Sequence, residues 1–218
     1  MRRMTSLLLT LSALVTASAL AAPAAGAAPQ TGRQAAVPAG WEAVDGDELA
    51  AMGGERSSAA ANGAPSAADE PSLIAMQSVR NGNYVAAEVS YAAPHTGVLR
   101  ARSADVGGWE SFAFEWDETT QTYALRSAAN GRYVAVEKNF TGSARNVLRA
   151  RSTGVGGWER FVLYHHEGLD RWALQSTLNG LFVTMENDYT GTLRYVLRAR
   201  SADITGSWEE FNLYGLDA

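Results

Sequence analysis

The chain has 218 residues and no cysteine, with 46% hydrophobic residues, 19% charged residues and a formal net charge of −5. The absence of cysteine excludes a disulfide scaffold and any Cys-based metal or thiol chemistry, and three histidines leave little for a His-built metal site. The acidic balance argues against nucleic acid as a partner, because nucleic-acid binders present a basic patch.

Residues 1–28 are predicted to be a secretory signal peptide. Arg2 and Arg3 precede an apolar stretch at Ser6–Leu20, and small residues suit cleavage between about Ala21 and Ala28. The apolar stretch is shorter than the roughly 20 residues of a membrane helix, and no later stretch is long enough. We therefore expect a secreted, extracellular protein without a membrane span.

Residues 29–71 are predicted to be a disordered linker. Ala, Gly, Ser and Pro dominate, and seven acidic residues stand against two basic ones. Such a segment cannot bury enough apolar surface to offset the entropy lost on ordering. Trp41, Val44, Leu49 and Met52 are spaced roughly as on a helix, which allows either a docking helix or a solvated tail. The tail is preferred because a helix this short is marginal alone.

Residues 72–218 contain an internal repeat with a period of 49 residues. The string Val-Leu-Arg-Ala-Arg-Ser occurs three times with this spacing, and each time an Asn-Gly pair precedes it and a Trp-Glu pair follows it. The third copy has one extra residue in the loop before its Trp-Glu pair, where an insertion costs little. The three copies are residues 72–120, 121–169 and 170–218.

Each copy is predicted to form four short strands. In the second copy these are Tyr123–Ser127, Arg132–Glu137, Val147–Ser152 and Trp158–Tyr164. Apolar residues alternate within them, and an Asn-Gly pair between the first two is typical of a hairpin. One such unit cannot bury its apolar face alone, so three must close on one another. The sequence therefore predicts an all-β chain whose architecture is a β-trefoil.

The repeated motifs resemble those of a known family. Asn-Gly-x-Tyr-Val-Ala-x-Glu, then Leu-Arg-Ala-Arg-Ser, then Gly-x-Trp-Glu-x-Phe are similar to the fascin-like β-trefoil family over residues 72–218. The resemblance implies the trefoil fold and a secreted bacterial member with a single trefoil. The family includes actin-bundling proteins and bacterial modules attached to glycan-active enzymes. The Gln-x-Trp signature of ricin-type lectins is absent, since Trp-Glu-x-Phe stands in its place.

Residues that recur in all three copies are expected to serve the shared fold. The repeated tryptophans and phenylalanines are predicted to pack in the core or at its rim. The repeated arginine pairs are predicted to form cross-strand ion pairs with two sets of glutamates. The sets are Trp109, Trp158 and Trp208; Phe112, Phe161 and Phe211; Glu88, Glu137 and Glu186; and Glu110, Glu159 and Glu209.

The sequence offers no catalytic constellation. Most carboxylates recur in every copy, as expected of a scaffold, and no nucleophile or phosphate-loop motif occurs. His165 and His166 are adjacent, so on a strand they would point to opposite faces and could not easily share a metal; an exposed loop pair is expected. We predict no catalytic residue, no metal and no cofactor.

The best candidates for ligand binding lie in the loop between the second and third strands of each copy. An aromatic residue recurs there among variable polar residues, and sugar sites combine a flat apolar face with a few polar groups. The candidates are Tyr91, Phe140, Tyr189, Asn139, Asp188, Arg145 and Arg194. Alternatively, the aromatic anchors its loop against the barrel.

The leading hypothesis is a non-enzymatic module that binds a glycan or polysaccharide. The alternative is a protein partner, either a protease that the module inhibits or a host protein such as actin. An inhibitor should have one protruding loop that differs between copies, and Tyr91–Gly97 differs most from its equivalents.

Overall fold

The computed structural model describes residues 37–58 and 73–216. The predicted signal peptide and the remaining parts of the predicted linker, 29–36 and 59–71, lie outside these residues. In the described ranges the chain forms one α-helix, α1 (Gly46–Ser58), and three short 3₁₀ helices. The strands are β1 (Glu42–Ala43), β2 (Leu73–Ser78), β3 (Tyr84–Glu88), β4 (Val98–Ser103), β5 (Ser111–Asp117), β6 (Thr122–Ser127), β7 (Tyr133–Val136), β8 (Leu148–Ser152), β9 (Phe161–His166), β10 (Arg171–Ser176), β11 (Phe182–Glu186), β12 (Val196–Ser201) and β13 (Phe211–Leu216).

Six antiparallel strands close into a barrel. Strands β2, β5, β6, β9 and β10 pair in that order, and β13 joins β10 back to β2. Three hairpins, β3–β4, β7–β8 and β11–β12, meet at one end. Strand β4 pairs with both β8 and β12, and a bridge from Val147 to Arg198 completes the ring. This threefold arrangement is a β-trefoil, as the repeat predicts.

The repeated sequence explains the core. In the second hairpin Leu148 and Ala150 are buried while the arginines between and after them are partly exposed, because neighbouring side chains of a strand point to opposite faces. Phe112, Phe161 and Phe211 are fully buried at the same position of each repeat, which confirms their predicted packing role. Each contributes roughly 1.5–3 kcal/mol through burial.

The two sets of repeated glutamates have different roles. Glu137 accepts hydrogen bonds from both arginines of its repeat, with Arg149 Nη1 at 3.1 Å, and Glu88 and Glu186 do the same in theirs. These cross-strand ion pairs confirm the prediction for this set.

Glu159 closes a turn instead of pairing with arginines. Its Oε2 accepts a hydrogen bond from the Gly156 amide at 2.8 Å, and Glu110 and Glu209 close the equivalent turns. The turn contains Trp158, so the fourth strand of this repeat begins at Phe161 and not at Trp158. The prediction of ion pairs for this set, and of a strand from Trp158, is therefore wrong.

An N-terminal strap, defined here as residues 37–52, packs on the barrel. Strand β1 pairs with β9, and Val44 N donates to Leu163 O at 3.0 Å. Trp41 is 8% exposed and lies in a cluster with Tyr164 and Phe182. The preference for a solvated tail here is wrong, because a few well-placed apolar residues dock a segment whose average composition is polar.

Helix α1 starts with a reciprocal pair of capping hydrogen bonds. Glu48 N donates to Asp45 Oδ1 at 2.9 Å, and Asp45 N donates to Glu48 Oε2 at 3.1 Å, so two otherwise unpaired amides are satisfied. Leu49 and Met52 then pack against the main core. The helical spacing noted in the sequence therefore does mark a docked helix.

The strap runs along β9 and also contacts β6. The hydroxyl of Tyr123, the second residue of β6, donates to Asp45 O, and burial, together with the nearby carboxylate of Asp45, raises the pKa of that hydroxyl. His166 ends β9 and packs edge-on against Trp41, with ring centroids 5.4 Å apart. The histidine pair is half-buried, which corrects the expectation of an exposed loop pair.

Among the described residues, no helix has the length and apolar character that a membrane crossing requires.

Candidate functional site

The three predicted loop aromatics surround the threefold axis at the hairpin end. They are half-buried and pack against three fully buried valines, and we call this group the axial cluster. Its valines are Val98, Val147 and Val196, and its aromatics are Tyr91, Phe140 and Tyr189.

The first arginine of each repeated motif holds the axial cluster together. Arg100 Nη1 donates to the Tyr91 hydroxyl and Arg198 Nη1 to the Tyr189 hydroxyl. The guanidinium carbons lie 5.6–5.9 Å from the ring centroids. These contacts are those of loop anchors, so the rings' role in ligand binding stays a prediction.

The same arginines link each repeat to a neighbour. Each Nε donates to a loop carbonyl of another repeat, so the three bonds form a closed circuit around the axis. The pairs are Arg100 with Arg194 O at 2.6 Å, Arg149 with Thr96 O at 2.6 Å and Arg198 with Arg145 O at 2.8 Å. Two of the predicted site residues, Arg145 and Arg194, therefore contribute backbone carbonyls to the fold while their side chains remain exposed.

The remaining polar candidates, Asn139 and Asp188, are exposed at equivalent positions in two repeats. The structure does not bring them together, because each belongs to a different repeat. Of the seven predicted site residues, Asp188 lines a groove.

The third-repeat groove has a volume of about 450 Å³, which is within the usual range for small-ligand sites. It lies between the β11–β12 hairpin and the loop that leads to β13. Its lining residues are Thr184, Glu186, Asp188, Arg200, Ser201, Ala202, Thr205, Trp208 and Glu209.

Several groove residues are specific to the third repeat. Thr184 replaces an alanine that stands at the equivalent position of both other copies. Asp188 replaces a serine or an asparagine, and Thr205 belongs to the loop with the extra residue. Sequence reasoning missed Thr184 and Thr205, although the insertion was a visible sign that this copy differs.

Most of the charge in the groove is compensated. Glu186 Oε1 pairs with Arg198 Nη1 at 3.4 Å and with Arg200 Nη1 at 3.0 Å. Glu209 is 3% exposed, and burial raises the pKa of its carboxyl group. Asp188 is exposed and supplies the groove with a carboxylate acceptor that solvent or a ligand can reach.

Hydroxyl groups and one indole complete the groove. Thr184 Oγ1 donates to Arg198 O at 3.2 Å, and Thr205 Oγ1 donates to Glu209 Oε2 at 3.3 Å. Both hydroxyls keep acceptor capacity. Trp208 provides an apolar wall, and Arg80 covers its ring with the guanidinium carbon 4.4 Å from the centroid.

The groove can bind a small hydroxylated molecule, since it combines acceptors, donors and one flat apolar surface. Within the described ranges, no group of three or more His, Cys, Asp or Glu residues could hold a metal ion.

Neither a protein-family model nor a curated protein sequence matches the chain. Solved structures do resemble it. The designed threefold-symmetric protein ThreeFoil matches with a TM-score of 0.54 and 17% identity, over 66% of this chain and 99% of that one. A ricin B-like lectin from Macrolepiota procera in complex with lactose matches with a TM-score of 0.51 and 13% identity, over 68% and 99% of the two chains.

A longer enzyme contains a similar part. The GlcNAcα1-4Gal-releasing endo-β-galactosidase from Clostridium perfringens matches with a TM-score of 0.51 and 8% identity, over 67% of this chain but 33% of that one. At these identities the likenesses show the β-trefoil fold and nothing finer.

Proposed function

We propose that the protein is a secreted, non-enzymatic module that binds a glycan in the third-repeat groove. The observation that carries the proposal is the juxtaposition of Asp188, Thr184 and Thr205 with the indole of Trp208 around one cavity. The Asp188 carboxylate and the Thr205 hydroxyl, both on exposed residues, can hydrogen-bond sugar hydroxyls. Thr184 is buried and lines the cavity, and the indole of Trp208, one face of which is covered by Arg80, adds an apolar wall.

Two further observations support the glycan as ligand. A lectin solved with lactose has the same fold, and the repeated motifs resemble the fascin-like family, in which trefoil modules accompany glycan-active enzymes. The charged N-terminus followed by an apolar stretch supports export. The groove itself supports binding rather than catalysis, because Glu186 is committed to two arginines and Glu209 to its turn.

The test is a titration of isotope-labelled full-length mature protein, followed by NMR at each residue. Glycans retained in an array screen, with lactose included, are added to the wild type and to Asp188→Ala. We expect the amide signals of Thr184 and Thr205 to shift, and Asp188→Ala to weaken this binding by about tenfold or more, or about 1.4 kcal/mol.

Asn139→Ala is the matched control, since Asn139 is the equivalent residue of the second repeat and lies outside the groove. It should leave the titration unchanged. The proposal would be overturned if the folded wild type bound no glycan, or if glycans bound without moving the groove signals.

A protein partner remains the second hypothesis. The exposed residues Ala92, Ala93 and Pro94 make the first-repeat loop the segment that such a partner would meet. Loss of a protein ligand on changing this loop, without any change in glycan binding, would favour that hypothesis.

A further inference from the structure

The repeated tryptophans have the same backbone environment but different side-chain surroundings. Their carbonyls accept equivalent hydrogen bonds of 2.8–2.9 Å, from Ala87 N to Trp109, from Val136 N to Trp158 and from Met185 N to Trp208. The three indoles therefore start from equivalent backbone positions, while the side chains around them differ.

One covering position comes from the next repeat. Arg80 covers Trp208 from a turn that is fixed by a hydrogen bond from Val79 N to Glu210 O at 3.0 Å. Ala128 N makes the same bond to Ser111 O at 2.9 Å. The residue that follows Ala128, Ala129, therefore stands beside Trp109 where Arg80 stands beside Trp208.

The difference between arginine and alanine at this position leaves Trp109 open. Alanine has no side chain that can extend over a ring, and at the third junction the equivalent residue, Leu178, packs against the main core. Trp109 is 37% exposed, whereas Trp158 and Trp208 are both partly buried.

A second covering position is also vacant in the first repeat. Lys138 lies over Trp158, with Nζ 5.2 Å from the ring centroid. The equivalent residue in the first repeat is Val89, which packs against the main core instead. The long side chains found at these two positions beside the other tryptophans are thus missing around Trp109, and the cation that lies over its ring is Arg102, from its own repeat.

We infer that Trp109 and Ala129, with Arg102 beside them, form a second glycan-binding site at the junction of the first and second repeats. We call it the junction notch, and the inference rests on the proposed function. It is separate from the third-repeat groove, so one trefoil would bind two sugar residues.

The chemistry of the junction notch favours a pyranose. The open indole offers a flat apolar surface of the kind on which a sugar ring stacks. The guanidinium carbon of Arg102 lies 5.8 Å from the Trp109 centroid, and Glu88 fixes it through Nε and Nη2. Among the described residues Arg102 Nη1 has no acceptor, so it can donate to a sugar hydroxyl.

Neighbouring backbone keeps the notch accessible. A side chain added at Gly108, the residue before Trp109, would meet no atom within 4 Å. The residues that define the site can be read in the sequence, but the consequence of Ala129 depends on the turn geometry that places it beside the ring.

The decisive experiment fills the notch without changing the tryptophan. Full-length mature protein with 5-fluorotryptophan is titrated with lactose and with chitotriose, and the Trp109 signal is assigned with Trp109→Phe. We expect the Trp109 signal to shift on titration. We expect Ala129→Arg, which supplies the covering residue found at Arg80, to weaken that binding about tenfold or more and to reduce quenching of Trp109 by acrylamide.

Ala92→Arg is the matched control, because it adds the same charge at an exposed position outside the notch; it should leave the Trp109 titration unchanged. An unmoved Trp109 signal, with the groove amides still shifting, would overturn the notch and leave the proposed function intact. A Trp109 titration that is identical in Ala129→Arg would also overturn it. If neither the groove nor Trp109 responds to any glycan, the proposed function and the notch both fail.

Discussion

Glu209 occupies the same position as Glu110 and Glu159, but its loop is one residue longer. The amide that donates to its carboxylate, from Thr205, lies at 3.2 Å, compared with 3.0 Å and 2.8 Å in the other two repeats. Burial raises the pKa of Glu209. The longer loop therefore holds the buried Glu209 carboxylate through a longer amide hydrogen bond and through the Thr205 hydroxyl.

Replacement of Glu209 by glutamine should stabilise the protein at neutral pH. Because the folded pKa is raised, the folded state binds the proton more tightly than the unfolded state, and stability falls as pH rises from the unfolded pKa through the folded one. Glu209→Gln removes this cost and can still accept from Thr205. Urea unfolding at pH 7 should show a larger free energy of unfolding than the wild type, with a smaller gain at pH 4.

The control for this prediction is Glu110→Gln, which makes the same change in a shorter turn, where the Gly107 amide donates to the Glu110 carboxylate at 3.0 Å. A gain at Glu209 that did not depend on pH would contradict the explanation from the buried charge, as would a loss of stability at pH 7.

At the scale of elements, helix α1 owes its start to the capping pair of Asp45 and Glu48. Replacement of an N-cap aspartate by alanine typically costs about 1 kcal/mol, so Asp45→Ala should lower the free energy of unfolding by about this amount. Chemical denaturation measures it. Asp47→Ala is the control, since Asp47 is an exposed residue of the first helical turn and should cost less.

A double-mutant cycle separates the hydrogen bonds of the capping pair from the general effect of negative charge near the helix N-terminus. Because Asp45 and Glu48 bond to each other's amides, their two replacements should be coupled and cost less together than the sum of the single changes. Additive effects would show that the two hydrogen bonds stabilise the helix independently of each other.

At this scale the repeated strands could be predicted from the sequence, whereas the docking of the strap could not. Short repeated strands could be predicted because alternation and turn residues recur three times, and each copy supports the others. Helix α1 occurs once, and Leu49 and Met52 hold it on the main core, next to the docked residues Trp41 and Val44 that precede it. Contacts between distant segments cannot be read from a segment's own composition.

At the scale of the whole molecule, the fold was predictable and the site was not. Closure of three 49-residue units follows from the repeat, because one unit cannot bury its apolar face alone. The groove depends on where the extra residue of the third loop is accommodated, and the notch on a contact between two repeats. Both features arise from departures from threefold symmetry. The sequence shows where these departures occur, but their effect on the surface depends on the three-dimensional packing.

The strap also contacts the loop that forms one side of the groove. Trp41 shares a cluster with Phe182, the first residue of β11, and with Ile204, which directly precedes Thr205. The equivalent residue of the first repeat, Val106, is 38% exposed. The strap thus supports the groove loop in the third repeat, where the insertion makes that loop longest.

Deletion of the strap should therefore cost stability and groove binding together. A chain lacking residues 1–36 keeps the strap and serves as the reference, whereas a chain lacking residues 1–58 loses the burial of Trp41 and Val44. Removal of a buried tryptophan alone costs about 3–5 kcal/mol, which corresponds to a melting temperature lower by roughly 10 °C or more in a domain of this size.

Calorimetry on the two truncated chains measures this difference, and the NMR titration compares their glycan binding. We expect the longer deletion to weaken binding at Thr205 more than at Trp109, since the strap contacts the groove loop and the notch belongs to the junction between the first two repeats. Equal melting temperatures would show that the strap is dispensable for the fold. Equal loss at both sites would show that the strap stabilises the barrel as a whole without supporting the groove in particular.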